Sequence, residues 1–132
     1  MGDALATVAL GTGRTARAVA AAGDHSCALF DDGSLKSWGQ NANGGLGLGD
    51  LVARGNMPGQ MGDALPAVSL GTSHTAHAVV TGSGFTCALL DDSSVKCWGF
   101  GGLLGLGDTT SRGGQPGDMG DSLPAVNLGT GP

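Results

Sequence analysis

The sequence predicts an all-β fold of small stacked sheets. Three observations predict it: an internal repeat of about sixty residues, short alternating apolar segments in each unit, and glycines held at fixed repeat positions.

The repeat is read directly. Met1-Gly2-Asp3-Ala4-Leu5 returns as Met61-Gly62-Asp63-Ala64-Leu65 and again as Met119-Gly120-Asp121-Ser122-Leu123, at spacings of 60 and 58 residues. The two-residue difference falls where Gln40 to Asp50 is matched by the shorter Phe100 to Asp108, so a loop absorbed the deletion. Residues 1–60 and 61–118 are thus two units, and 119–132 opens a third. Cys27-Ala28-Leu29 matches Cys87-Ala88-Leu89, Trp38-Gly39 matches Trp98-Gly99, and Leu10-Gly11-Thr12 matches Leu70-Gly71-Thr72 and Leu128-Gly129-Thr130.

Strands are expected from the segments. The candidates in the first unit are Thr15 to Ala21, Ser26 to Phe30, Leu35 to Trp38 and, leading into the next unit, Ala67 to Leu70. They are rich in small and β-branched residues, are bounded by Gly, Asp and Ser, and carry no 3.6-residue period. Asp31-Asp32-Gly33 suits a three-residue hairpin loop with glycine in the left-handed position of a G1 bulge. Pairing about Asp32 sets Phe30 opposite Ser34, Leu29 opposite Leu35 and Cys27 opposite Ser37; in the second unit it sets Cys87 opposite Cys97. Residues 25, 27 and 29 share one face and 26, 28 and 30 the other. Neither is charged, so both are expected to be buried between neighbouring sheets. Stacking small sheets around an axis is how a β-propeller hides its strands. Two four-stranded blades and the start of a third are therefore expected, with Leu123 to Gly129 able to supply the outermost strand of the second blade.

Composition narrows the function classes. Among 132 residues are 27 glycines, no tyrosine and only 4% aromatics, so the core is thin and built of Ala, Val and Leu. Glycine at fixed positions between apolar runs is turn punctuation, not disorder. A net charge of −5 with six scattered Lys and Arg gives no footprint for nucleic acid and no polybasic segment for a lipid surface. No apolar run reaches the roughly eighteen residues a membrane span needs, and no signal peptide is visible. Because methionine recurs at Met61 and Met119, Met1 can equally be an internal repeat residue.

His25-Ser26-Cys27-Ala28-Leu29-Phe30-Asp31-Asp32-Gly33-Ser34-Leu35-Lys36-Ser37-Trp38-Gly39, followed by Gly45-Leu46-Gly47-Leu48-Gly49-Asp50, resembles the repeat of the regulator-of-chromosome-condensation family. The second unit gives the same string from Phe85 to Asp108. Cysteines before and after the hairpin, with the Leu-Gly-Thr-Gly segment, are most similar to bacterial and algal members. The sequence departs from the pattern at Phe85, where the family has histidine, at Ser93, which replaces the glycine of the hairpin, and at Ser37, which replaces the second cysteine. The resemblance implies a propeller scaffold of four-stranded blades. Family members include a guanine-nucleotide exchange factor, inhibitors of β-lactamases and modules that bind other proteins. It therefore implies non-enzymatic protein binding, with exchange or enzyme inhibition through one propeller face, or a structural extracellular repeat, as alternatives.

No catalytic, cofactor or metal residues are assigned. Gly11-Thr12-Gly13-Arg14-Thr15 lacks the lysine and spacing of a phosphate loop. Asp31-Asp32 and Asp91-Asp92 read as turn residues, not calcium ligands. Asp24-His25-Ser26 are strand neighbours that cannot converge on one substrate atom, and the second unit has Gly84-Phe85-Thr86 there. His74 and His77 replace Arg14 and Arg17 and read as solvent-facing; zinc would need two further ligands. Trp38 and Trp98 read as blade packing. Cys87 and Cys97 are placed for a cross-strand disulfide, leaving Cys27 opposite Ser37. An oxidised pair implies an extracellular or cell-surface setting, and in a reducing compartment all three are small buried hydrophobes. Two blades share one interface and leave two outer faces bare, so further blades or a homo-oligomer are expected to complete the array.

Overall fold

The computed structural model describes residues 1–130; Gly131 and Pro132, the end of the third unit, lie outside the described residues. Two antiparallel sheets succeed one another along the chain. The first holds β1 (Ala16–Ala22), β2 (His25–Phe30) and β3 (Leu35–Gly39), and the second β4 (Ala76–Gly82), β5 (Phe85–Leu90) and β6 (Val95–Gly99). Each sheet is a meander in chain order, β1-β2-β3 and β4-β5-β6. Short 3-10 turns at Gly2–Ala4, Gly62–Ala64 and Gly120–Ser122 mark the repeated Met-Gly-Asp segment.

The hairpin register is the expected one. Leu29 pairs with Leu35 and Cys27 with Ser37 in the first sheet, and Leu89 with Val95 and Cys87 with Cys97 in the second. Phe30 N–H donates to Ser34 O at 3.0 Å and Gly33 N–H to Phe30 O at 2.9 Å, which closes the loop. Gly33 has φ +81° and Ser93 φ +71°, so the serine adopts the left-handed conformation the loop demands. In each loop an aspartate anchors the turn: Asp32 Oδ1 accepts from Ser34 N–H at 2.9 Å, and Asp92 Oδ1 from Ser94 N–H at 3.0 Å.

The expected fourth strand is corrected. Ala67 to Leu70 and Leu123 to Gly129 form no strand; each is an extended segment held to its sheet by one bond, Val68 N–H to Leu35 O at 2.9 Å and Val126 N–H to Val95 O at 2.8 Å. Beyond Val68 the backbone is drawn to other partners. Ser69 O accepts from Gly120 N–H at 3.0 Å and Leu70 O from Lys96 Nζ at 3.2 Å, so the ladder cannot continue.

The core lies between the sheets. Leu29 and Leu35 from the first sheet meet Ala76, Ala88, Leu90 and Trp98 from the second, with Val68 and Leu70 of the connecting segment in the same cluster. Burial of both faces holds for β2, but in β5 only Thr86, Ala88 and Leu90 are buried. Leu89 and Val80 on the other face are exposed, because no further sheet covers them.

Candidate functional site

The seam between the sheets gathers most of the buried polar groups. His25 and Thr86 begin neighbouring strands of successive sheets, and stacking brings them together: His25 Nε2 stands 2.8 Å from Thr86 Oγ1. The Thr86 hydroxyl donates to Gly45 O at 2.9 Å, and Trp98 Nε1–H donates to the same carbonyl at 3.1 Å. With the threonine proton directed at Gly45, the imidazole donates from Nε2. Burial lowers the His25 pKa, with Asp24 opposing the shift, which favours the neutral ring. The glycine-rich loop is therefore a receiver for the second sheet. Gly47 sits so close to the indole of Trp98 that a Cβ there would lie 2.7 Å from Nε1.

The cysteines divide by sheet. Cys87 and Cys97 lie opposite one another at a non-hydrogen-bonded position of the ladder, where side chains approach most closely, and their sulfurs are 2.05 Å apart. Cys27 is buried and free, its Sγ 2.6 Å from Ser37 Oγ, and burial pushes its thiol pKa up. It is not placed as a nucleophile.

A second device repeats in both units. Lys36 Nζ donates to Leu10 O at 3.0 Å and Gly62 O at 2.8 Å, while Lys96 Nζ donates to Leu70 O at 3.2 Å and Gly120 O at 2.8 Å. Asp63 accepts from Thr12 N–H and Asp121 from Thr72 N–H, each at 2.8 Å. These hydrogen bonds hold both carboxyls below the usual range.

The histidine pair separates. His77 is exposed, whereas His74 is half-buried, its Nδ1 3.0 Å from Asp91 Oδ1 and 4.0 Å from Asp92 Oδ2. Chain order sets His74 apart from Asp91-Asp92; the fold joins them. In the first unit Arg14 takes the same place, 3.6 Å from Asp32 and over the Phe30 ring, so the arrangement is an ion pair that closes each hairpin. Asp24, His25 and Ser26 do not converge: His25 points to the next sheet. Trp98 is fully buried at the seam, whereas Trp38 is half-buried.

Exposed apolar side chains concentrate on the long loops. Leu51, Val52 and Met57 are exposed in the first, and Phe100 and Leu103 in the second. Leu51 lines a cleft with Ala42, Asn43, Ser111, Gln115 and Asp118, where the two units' loops meet.

Stacked antiparallel sheets joined by extended segments define the chain as a stretch of β-propeller repeats. The family model described as the regulator of chromosome condensation (RCC1) repeat matches residues 16–44 and 76–102, which are the two sheets with the start of the loop after each. The chain belongs to the RCC1-repeat family. It is 38% identical over 99 residues to the ultraviolet-B receptor UVR8 of Arabidopsis thaliana, covering 70% of this chain and 20% of that protein. Prp20p of Saccharomyces cerevisiae superposes with a TM-score of 0.62 at 23% identity, over 81% of this chain and 26% of that one. Yeast RCC1 (Prp20) in its complex with Kap60 gives a TM-score of 0.60 at 24% identity, over 81% and 25% of the two chains. Human WBSCR16 gives 0.57 at 20% identity, over 83% and 30%. The chain thus spans about a fifth of the curated relative.

Proposed function

We propose that the chain is a non-enzymatic, protein-binding segment of an RCC1-type β-propeller. The observation that carries this reading is the division of labour between seam and loops. The polar groups buried at the seam, His25, Thr86, Lys36 and Lys96, are all hydrogen-bonded within the scaffold. Apolar side chains meanwhile stand exposed on the long loops, at Leu51, Val52, Met57 and Phe100. Large apolar residues on loops of a rigid scaffold suit a protein partner. The yeast relative is described by its binding to Gsp1p and histones, and yeast RCC1 is described bound to Kap60. Those partners supply the class, a protein.

The test places a photo-crosslinking residue at position 51, with position 19 on an inner strand as the control. A defined protein adduct at 51, absent at 19 and lost in the Met57→Asp background, supports the loop surface as the binding site. Equal labelling at both positions, with Met57→Asp without effect, counts against it.

A further inference from the structure

The chain contains three Leu-Gly-Thr segments and two receivers for them. Lys36 with Asp63 holds Leu10 and Thr12, and Lys96 with Asp121 holds Leu70 and Thr72. The third, Leu128-Gly129-Thr130, makes only a local bond, Gly129 N–H to Asn127 Oδ1 at 3.0 Å, among the described residues. Leu128 is 74% exposed, whereas Leu70 at the same repeat position is 5% exposed.

The sheet beside this third segment is uncovered in the same way. Leu29 is 1% exposed because the second sheet lies on it; its counterpart Leu89 is 40% exposed, and Val80 on the same face 61%. Val80 pairs with Cys87 and Ala78 with Leu89, so the face is continuous and apolar across β4 and β5.

We infer that these two features receive a second copy of this chain, head to tail. Leu128-Gly129-Thr130 of one copy takes the Lys36 and Asp63 receiver of the next, and the Leu89 face stacks on the open side of that copy's first sheet. The template is inside the molecule, since the first sheet and Leu70-Gly71-Thr72 meet the second sheet in this manner. The displaced segment offers little resistance. Residues 1–8 are exposed throughout, and among the described residues their only hydrogen bond is Leu5 N–H to Gly2 O, within their own turn. Leu10-Gly11-Thr12 is replaced by an identical Leu-Gly-Thr, so its hydrogen bonds are exchanged one for one and the burial of Leu89, Val80 and Leu128 is the gain. The contact joins different surfaces of the two copies, so it repeats at the free ends of each pair.

Two features restrain the association. Residues 1–8 occupy the place that residues 119–126 of the arriving copy need. Ser93 also stands where Gly33 does, and a Cβ at Gly33 would lie 2.5 Å from the Thr75 Cβ; Thr15 is the matching residue of the incoming sheet. This inference concerns the sheet faces and is independent of a protein partner on the loops.

Sedimentation velocity of the whole chain, from low micromolar to several hundred micromolar, tests it. The expected result is a mass that rises with concentration past the dimer. Leu89→Asp abolishes the rise, with the far-ultraviolet circular dichroism unchanged. Deletion of residues 1–8 and Ser93→Gly each move half-association about fivefold lower, the equivalent of about 1 kcal/mol. A single monomeric species at every concentration in the parent chain and in both strengthened variants overturns the proposal. So does an assembly that Leu89→Asp leaves intact.

Discussion

His25 Nε2 donates to Thr86 Oγ1 across the seam between the two sheets, over 2.8 Å and 61 positions of sequence. Both residues are buried, and the threonine passes the chain of hydrogen bonds on to Gly45 O. One contact therefore ties the first sheet, the second sheet and the glycine-rich loop of the first unit together.

That contact predicts a pH dependence. Burial lowers the His25 pKa, so between the folded value and the ordinary one of about 6.5 the unfolded chain binds the proton and the folded chain does not. The contribution is complete above pH about 6.5 and is lost as pH falls below it. Melting temperatures measured from pH 8 to pH 5 should decline over the lower half of the range and be flatter in His25→Phe, which installs the residue of the second unit. The carboxyls of Asp63 and Asp121, held low by their threonines, act only at lower pH, below about 4. An identical decline in His25→Phe would remove the histidine from the explanation.

Thr86→Val keeps the shape of the side chain and removes the hydroxyl. Gly45 O retains the Trp98 indole, but His25 Nε2 loses its acceptor inside the seam. A loss of about 1–3 kcal/mol is expected in urea unfolding. Ser26→Val, at the matching half-buried position of the first sheet, should cost less.

Gly33 and Ser93 occupy the same turn position and should respond in opposite directions. Ser93→Gly relieves a left-handed serine and should stabilise by about 1 kcal/mol. Gly33→Ser adds that strain and also drives a Cβ to 2.5 Å from the Thr75 Cβ, so a loss of about 2 kcal/mol or more is expected. Denaturant midpoints of the two single variants check the signs.

Thiol counting by mass spectrometry separates the cysteines. In the oxidised native chain no cysteine should be alkylated readily, since Cys27 is buried and Cys87 and Cys97 are joined. Unfolding without reductant should expose one thiol, and unfolding with reductant three. Three thiols after unfolding without reductant would show that the pair is not oxidised. Reducing the bridge should destabilise the second hairpin by about 2–4 kcal/mol, the usual range for a cross-link.

The hairpins were legible because their information is local. Asp31-Asp32-Gly33 fixes the loop length, the loop fixes the register, and the register places Cys87 opposite Cys97. The outermost strand was overestimated because Ala67 to Leu70 has strand-like composition, while the residues that divert it, Lys96 and Asp121, lie 24 or more positions away. The His25 and Thr86 contact was hidden for the same reason at greater range: it depends on how one sheet sits on the next. A faint signal was present in the paired change from His25-Ser26 to Phe85-Thr86, which moves a hydrogen-bonding side chain from one face of the strand to the other. The ion pair of His74 with Asp91 was available from alignment of the two units, because Arg14 and Asp32 form its counterpart.

The close approach of Gly33 to Thr75 bears on how such a chain is inherited. Copying the second unit into the place of the first would set a serine Cβ against that threonine, so the two units are not interchangeable cassettes despite their likeness. A gene that grows by duplicating units of this kind must repair that residue with each insertion. The position before Ser34 and Ser94 therefore records which neighbour a unit was shaped to meet.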